Sequence, residues 1–156
     1  MLDTPYITQS AEEATAIVRI TVPRSEIRKV MQPSLEELMS TIAAQGIAPT
    51  GPWFSHHLKI DPEIFDFEIS VPVTTPIKPS GRVQASVMPS VRVARAVYRG
   101  PYEHLGDGWE QVMSWIESNE HIPAKNRWER YVIGPDSTAD AAAWETELNC
   151  PLIDPA

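Results

Sequence analysis

The chain has 156 residues, enough for one domain that buries about two-thirds of its unfolded surface. Its 42% apolar and 22% charged content excludes disorder throughout, and 13 basic against 21 acidic side chains give a net charge of −8, which repels phosphate backbones and anionic membranes. The single Cys150 allows no internal disulfide, and no apolar run approaches the roughly 20 residues that span a bilayer, so the expected setting is a reducing cytoplasm without nucleic-acid or membrane partners.

Residues 1 to about 14 are polar and aperiodic and read as a lead-in strand or a frayed end. Residues 16–22 (AIVRITV) are rich in β-branched side chains and are closed by Pro23, the pattern of a strand. Pro33 and Ser34 read as a helix start and Gln45-Gly46 as its stop, with Leu35, Leu38, Met39 and Ile42 forming one apolar stripe. Residues 53–60 and 65–73 follow as strands joined by an Asp-Pro turn. Residues 74–90, with Pro76, Pro79, Gly81 and Pro89, read as a crossover.

After the crossover the order repeats. Residues 91–98 alternate like a strand, Asp107 reads as an N-cap, and Trp109, Val112, Met113 and Ile116 repeat the stripe of the first helix at an offset of 74, position for position. The strand 127–133 begins at Trp128, which follows Trp53 at an offset of 75, and ELNCPL at 147–152 matches EISVPV at 68–73 with an offset of 79. A longer hairpin turn, residues 134–143, absorbs the difference. The chain therefore reads as one α+β domain over residues 1–156, with repeat one at about 16–73, a linker at about 74–90 and repeat two at about 91–153. Each repeat is a strand-helix-strand-strand unit with an antiparallel sheet, and the expected ligand site is a cleft between the two pseudo-symmetric units.

In the last strand Trp144, Thr146, Leu148 and Cys150 share one face, and Glu145, Glu147 and Asn149 the other. Glu147 and its first-repeat counterpart Glu68 are the candidate cleft carboxylates, able to pair with a cation or, with a raised pKa, to act as a general base. The competing reading of both is a solvated sheet face. On the preceding strand Glu129, Tyr131 and Ile133 lie on one side, and Trp128, Arg130 and Val132 on the other. Tyr131 is read as sharing the face of Glu147 and forming a ligand wall, with His56 as its counterpart at an offset of 75; a tyrosine at the edge of the core is the alternative.

Tyr98 and Tyr102 flank the Gly100-Pro101 turn and suit a groove mouth, while Trp109 belongs to a buried stripe. The adjacent His56 and His57 face opposite sides of a strand, and His104 and His121 lack ligand spacing, so no metal is expected. No Ser-His-Asp arrangement, phosphate-cradling glycine loop or dinucleotide fingerprint is legible, so no cofactor is expected either.

The segments YRGPYEHLGDGW (98–109), WERY (128–131) and WETELNCPL (144–152), with FDFEISVPV (65–73) in the first half, resemble the GyrI-like family, also called the AraC-type effector-binding domain. The resemblance covers roughly residues 16 to 153 and is strongest in the second half. It implies a ligand cleft between two strand-helix-strand-strand units, with the cleft glutamate at Glu147 and the strand aromatic at Tyr131; His56 departs from the tyrosine often found in the first half. Members serve as drug-sensing domains of transcription activators, as free-standing binders of toxic compounds and, in one branch, as hydrolases of cyclopropane-bearing genotoxins. With only 15 residues before the first strand there is no room for a helix-turn-helix, so the resemblance is to the free-standing, bacterial-type members.

Three functions follow as expectations. The first is binding of a small, aromatic, cationic molecule for sensing, sequestration or protection, with Glu147, Tyr131, Tyr98, Tyr102, Glu68, His56 and Trp109 around it. The second is a hydrolase with Glu147 as general base and Tyr131 orienting water or the leaving group. The third is an inhibitor or interaction module with a protein partner; a homodimer is left open.

Overall fold

A computed structural model describes residues 1–153. In chain order the strands are β1 (Tyr6–Gln9), β2 (Glu13–Pro23), β3 (Phe54–Ile60), β4 (Ile64–Pro72), β5 (Gln84–Met88), β6 (Arg92–Arg99), β7 (Arg127–Ile133) and β8 (Glu145–Pro151). Helix α1 (Ile27–Ala44) lies between β2 and β3, and α2 (Leu105–Ser118) between β6 and β7. The chain divides into two compact units: Ala11–Ser90, and Met1–Ser10 together with the chain from Val91 onward.

Each unit is α+β, with four antiparallel strands and one long helix. The first runs β5-β2-β4-β3 and the second β1-β6-β8-β7. The expected three-strand sheets thus gain an outer strand apiece. In the second unit it is the lead-in strand β1, and in the first it is β5, cut from residues expected to be only a crossover. Pairing of such outer strands with partners distant in sequence leaves no local trace in the periodicity.

Alternation builds both cores. Ala16, Val18 and Ile20 of β2 and Phe67, Ile69 and Val71 of β4 point to one side of their sheet, where Leu38 and Ile42 of α1 cover them. Burying each such aliphatic side chain contributes about 1.5–3 kcal/mol, and Leu38→Ala, at a site with no exposure, is expected to cost about 2–5 kcal/mol. In the second unit Ala94, Ala96 and Tyr98 of β6 and Leu148 and Cys150 of β8 face Leu105, Trp109, Val112 and Ile116 of α2.

Two helix starts differ from expectation. α1 begins well before Pro33, at Ile27, so that the proline stands inside the helix. Proline there removes a backbone hydrogen bond, at a cost of about 3 kcal/mol, but the added turns bring Ile27, Val30 and Met31 onto the core. In α2 the N-cap position is His104 and Asp107 sits within the first turn, because a short 3-10 turn at Tyr102–His104 leads into the helix. Met39, read as part of the stripe, is 41% exposed.

Duplication is written into the backbone. Gly46 ends α1 with φ 69°, its N–H donating to the Ala43 carbonyl and that of Ile47 to Ile42. Glu120, at an offset of 74 from Gly46, ends α2 in the same left-handed conformation at φ 61°, with N–H donations from Glu120 to Glu117 and from His121 to Ile116. The ladder slips between His57 and Lys59 in β3 and between Tyr131 and Ile133 in β7, so the two bulges repeat at that same offset. Phe54 opposite Ser70 corresponds to Trp128 opposite Asn149. The repeat offset through β3 and β7 is therefore 74, and the expected match of Trp53 with Trp128 is one position out. Tyr131 corresponds to His57, and His56 to Arg130.

Candidate functional site

Strand pairing in the second unit decides which side chains can meet. Directly paired residues share a face. Glu147 pairs with Val97 and Arg130, and Asn149 with Arg95 and Trp128. Thr146 pairs with Tyr98 and Tyr131, and Leu148 with Ala96 and Glu129. Leu148 and Ala96 belong to the core under α2, so Glu129 and Tyr131 lie on the helix-facing side and Glu147 on the opposite side. The expected common face of Tyr131 and Glu147 is corrected by this register: the two stand on opposite faces of the sheet.

On the far face Glu147 is held by arginines. Its Oε1 lies 3.4 Å from Nε of Arg95 and 3.9 Å from Nε of Arg130, and it accepts from the Asn149 amide at 3.0 Å. Arg95 also donates to Asn149 Oδ1 at 2.7 Å. In the first unit Glu68 pairs with Arg19 and His56, and His56 Nδ1 lies 3.4 Å from its Oε1. Both glutamates lie on the sheet face opposite the helices, and both stand beside a basic side chain at the corresponding position of the neighbouring strand.

The helix-facing side holds a different arrangement. Glu129 accepts from Trp109 Nε1 at 2.7 Å on one oxygen and from the Tyr131 hydroxyl at 2.8 Å on the other. Both oxygens act as acceptors, the hydrogen-bonding pattern of a carboxylate. Tyr131 meets Tyr102 edge-on with ring centres 5.8 Å apart, and Tyr102 lies 4.8 Å from Trp144, whose indole N–H is fixed on the Thr138 carbonyl at 2.9 Å. Gly134 makes room for this wall, since a Cβ there would stand 2.9 Å from the Tyr102 hydroxyl.

The α2 stripe places Trp109, which is 6% exposed and carries the Arg127 guanidinium 4.7 Å from its ring centre. One ring face is thereby occupied, and its indole N–H positions Glu129. Tyr98 is 4% exposed and donates to the Pro101 carbonyl at 2.8 Å, so it closes the strand-to-helix corner from within the core. Burial pushes the Tyr98 and Tyr102 phenols above their ordinary value; Asp107 and Glu103 add to the first, Asp136 and Glu129 to the second. Both remain neutral at physiological pH. Next to Tyr98 and Tyr131 the Thr146 hydroxyl is fully buried without a hydrogen-bond partner among the described residues.

Of the residues singled out from the sequence, the structure brings Tyr131, Tyr102 and Trp109 together, whereas Glu147, Glu68 and His56 lie on the far faces of their sheets. Glu129, the carboxylate of this cluster, is not among the residues singled out from the sequence, although simple alternation along β7 already puts it with Tyr131. The corresponding positions of the first unit are Ser55 and His57, whose Oγ and Nε2 are 3.3 Å apart, with the His57 ring stacked 5.2 Å from Phe67. The carboxylate with its aromatic wall occurs in one repeat only.

Among the described residues no group of three or more histidine, cysteine, aspartate or glutamate side chains is placed to hold a metal ion, and no helix is long and apolar enough to cross a membrane.

Several solved structures share the fold. The EcmrR C-terminal domain superposes with a TM-score of 0.86 at 23% identity, covering 97% of this chain and 98% of that one. The EcmrR-DNA complex gives 0.84 at 25% identity over 96% of this chain, which spans 57% of the EcmrR chain in that complex. SAV2435 bound to tetraphenylphosphonium gives 0.68 at 14% identity, covering 96% of this chain and 94% of that one. No curated protein sequence matches the chain. The model of the GyrI-like small molecule binding domain matches residues 4–152, nearly the whole sequence, and the chain belongs to that family.

Proposed function

We propose that this chain binds an organic cation on the helix-facing side of β7 and β8, with Glu129 supplying the negative charge and Tyr131, Tyr102 and Trp144 the aromatic wall. The observation that carries this reading is a carboxylate fixed by two donors at 2.7 and 2.8 Å beside three half-buried rings. A cation over an aromatic face gains about 0.5–2 kcal/mol, and a carboxylate already held in place loses little entropy on pairing with it. The tetraphenylphosphonium bound by SAV2435 is a lipophilic cation of this kind. Binding without turnover suits sensing, sequestration or protection. Trp109 acts through Glu129, while Glu147, Glu68 and His56 serve the far faces of their sheets.

Calorimetric titration with tetraphenylphosphonium and with triphenylphosphine oxide, a neutral molecule of related shape, tests the reading. The cation is expected to bind at least tenfold more tightly. Equal affinities, or no binding of either, overturn it.

A second reading, hydrolysis, is favoured by the 2.8 Å contact between the Tyr131 hydroxyl and Glu129, a pair able to take a proton from water and orient it. A hydrolase from Listeria innocua shares the fold, with a TM-score of 0.64 at 11% identity. Mass spectrometry of a cyclopropane-bearing alkylator incubated with the protein separates the two readings. Many turnovers per protein that stop in Glu129→Gln favour hydrolysis, and protection limited to one equivalent favours binding.

A further inference from the structure

A groove of about 700 Å³ runs along the outer side of α2, away from the stripe that covers the sheet. One wall is the helix itself: Asp107, Glu110, Gln111 and Ser114 recur at helical spacing over two turns, about 10 Å of its length. The other wall is the N-terminal segment, Leu2 to Pro5, pinned to β6. Asp3 donates its N–H to the Val97 carbonyl at 3.0 Å, Arg99 donates to the Met1 carbonyl at 2.8 Å, and the Arg99 guanidinium grips both Asp3 oxygens at 2.6 Å. The wall is therefore built in place.

Charge and apolar surface are arranged unevenly in this groove. Arg99 is shared between Asp3 and Glu145, so Asp3, Asp107 and Glu110 together leave the groove negative. Among the described residues Asp107 has His104 nearby, at 3.8 Å, and no ion pair engages Glu110. Leu2, Pro5 and Trp115 supply apolar surface, and the Trp115 ring is backed by a stacked His121 at 6.3 Å. An acidic rim around an apolar floor complements a chain segment in which an apolar side chain is flanked by cations, and the net charge of −8 draws such a segment in. Trp115 adds a ring face for a lysine or arginine.

We infer that the groove between residues 2–5 and the outer side of α2 is a docking site for a short basic segment of a partner protein, with an aliphatic anchor between lysines or arginines. It lies on the other side of α2 from Glu129 and does not depend on the ligand reading.

The test uses a fluorescein-labelled hexapeptide of alternating lysine and leucine, with anisotropy measured against the full chain. Asp107→Lys/Glu110→Lys reverses the rim, and Ser114→Trp fills the groove while keeping its charge; both change exposed helix positions, and thermal melts confirm folding. Each is expected to weaken the peptide at least tenfold, while a lysine-only peptide binds at least tenfold more weakly to the unaltered protein. No binding to the unaltered protein overturns the inference. So does unchanged binding in Ser114→Trp, or equal binding of the lysine-only peptide, either of which reduces the effect to diffuse charge attraction. Displacement of the peptide by equimolar tetraphenylphosphonium in Glu129→Gln makes the groove a small-cation site and also overturns it.

Discussion

Glu129→Gln separates charge from geometry unusually well. The indole N–H of Trp109 can only donate, so it must face the carbonyl oxygen of the new amide, which fixes the amide's orientation. The amide nitrogen then faces the Tyr131 hydroxyl, which rotates its hydrogen and becomes the acceptor. Both contacts survive, at 2.7 and 2.8 Å in the parent, and only the charge is lost. The expected loss of folding stability is about 2–3 kcal/mol, because each of the two charged hydrogen bonds, at about 1.5–3 kcal/mol, becomes a neutral one at about 0.5–1.5.

Binding should respond more strongly. A cation about 6 Å from the carboxylate, at an effective dielectric of about 20, gains about 3 kcal/mol, and at about 1.4 kcal/mol per decade this bounds the loss at about a hundredfold. Titration of tetraphenylphosphonium into the variant is expected to give a dissociation constant raised tenfold to a hundredfold, with triphenylphosphine oxide changed less than threefold. Glu147→Gln, on the opposite face, is expected to leave both ligands unchanged, because it perturbs only the network with Arg95, Arg130 and Asn149. If Glu147→Gln weakened the cation and Glu129→Gln did not, the assignment of the site to the helix-facing side would be refuted.

Three further outcomes follow from the fold. Glu120 holds φ 61°, a conformation that costs an L-residue about 1–2 kcal/mol, so Glu120→Gly should raise the unfolding free energy by about 1 kcal/mol, seen as a higher denaturant midpoint at unchanged slope. Asp66 accepts from Arg19 at 3.1 and 3.2 Å and from Thr21 at 3.1 Å, and the Arg19 contact above all holds its carboxyl below the ordinary range. Its contribution is full above that range and is lost as pH falls through the lowered value, so acid unfolding should be less steep in Asp66→Asn; the 60% exposure of Arg19 keeps the effect small. Burial pushes the Cys150 thiol up to about 11, so at pH 8 the native protein should not react with a disulfide reagent, whereas in denaturant it should release one equivalent.

Much of the fold is legible because it is periodic. The α2 stripe and the alternation along β8 are seen where the sequence places them, and Gly46 stops α1 where a left-handed residue is needed. Pro33 misleads because burial of Ile27, Val30 and Met31 outweighs one missing hydrogen bond. The site is less legible for a geometric reason. Tryptophans at 53 and 128 suggest an offset of 75, while the helix stripes give 74, and only the latter matches the bulges and the helix ends. In a strand, one residue of slip exchanges the two faces, which puts His56 into the place of His57 and aligns Tyr131 with the face of Glu68 and Glu147.

The duplication also reverses the weight given to repeated residues. A feature kept in both copies serves what both copies must do. Glu68 beside His56 and Glu147 beside Arg130 are such a pair, each a cross-strand contact on the far face of its own sheet. Where the second unit has Glu129, Tyr131 and Trp109, the first has Ser55, His57 and Leu35, polar or apolar residues that carry no carboxylate. The scaffold explains the glutamates that recur. Glu129, fixed by an indole and a phenol beside two more rings, has no counterpart in the first copy, so duplication does not account for it, whereas the proposed charge recognition does.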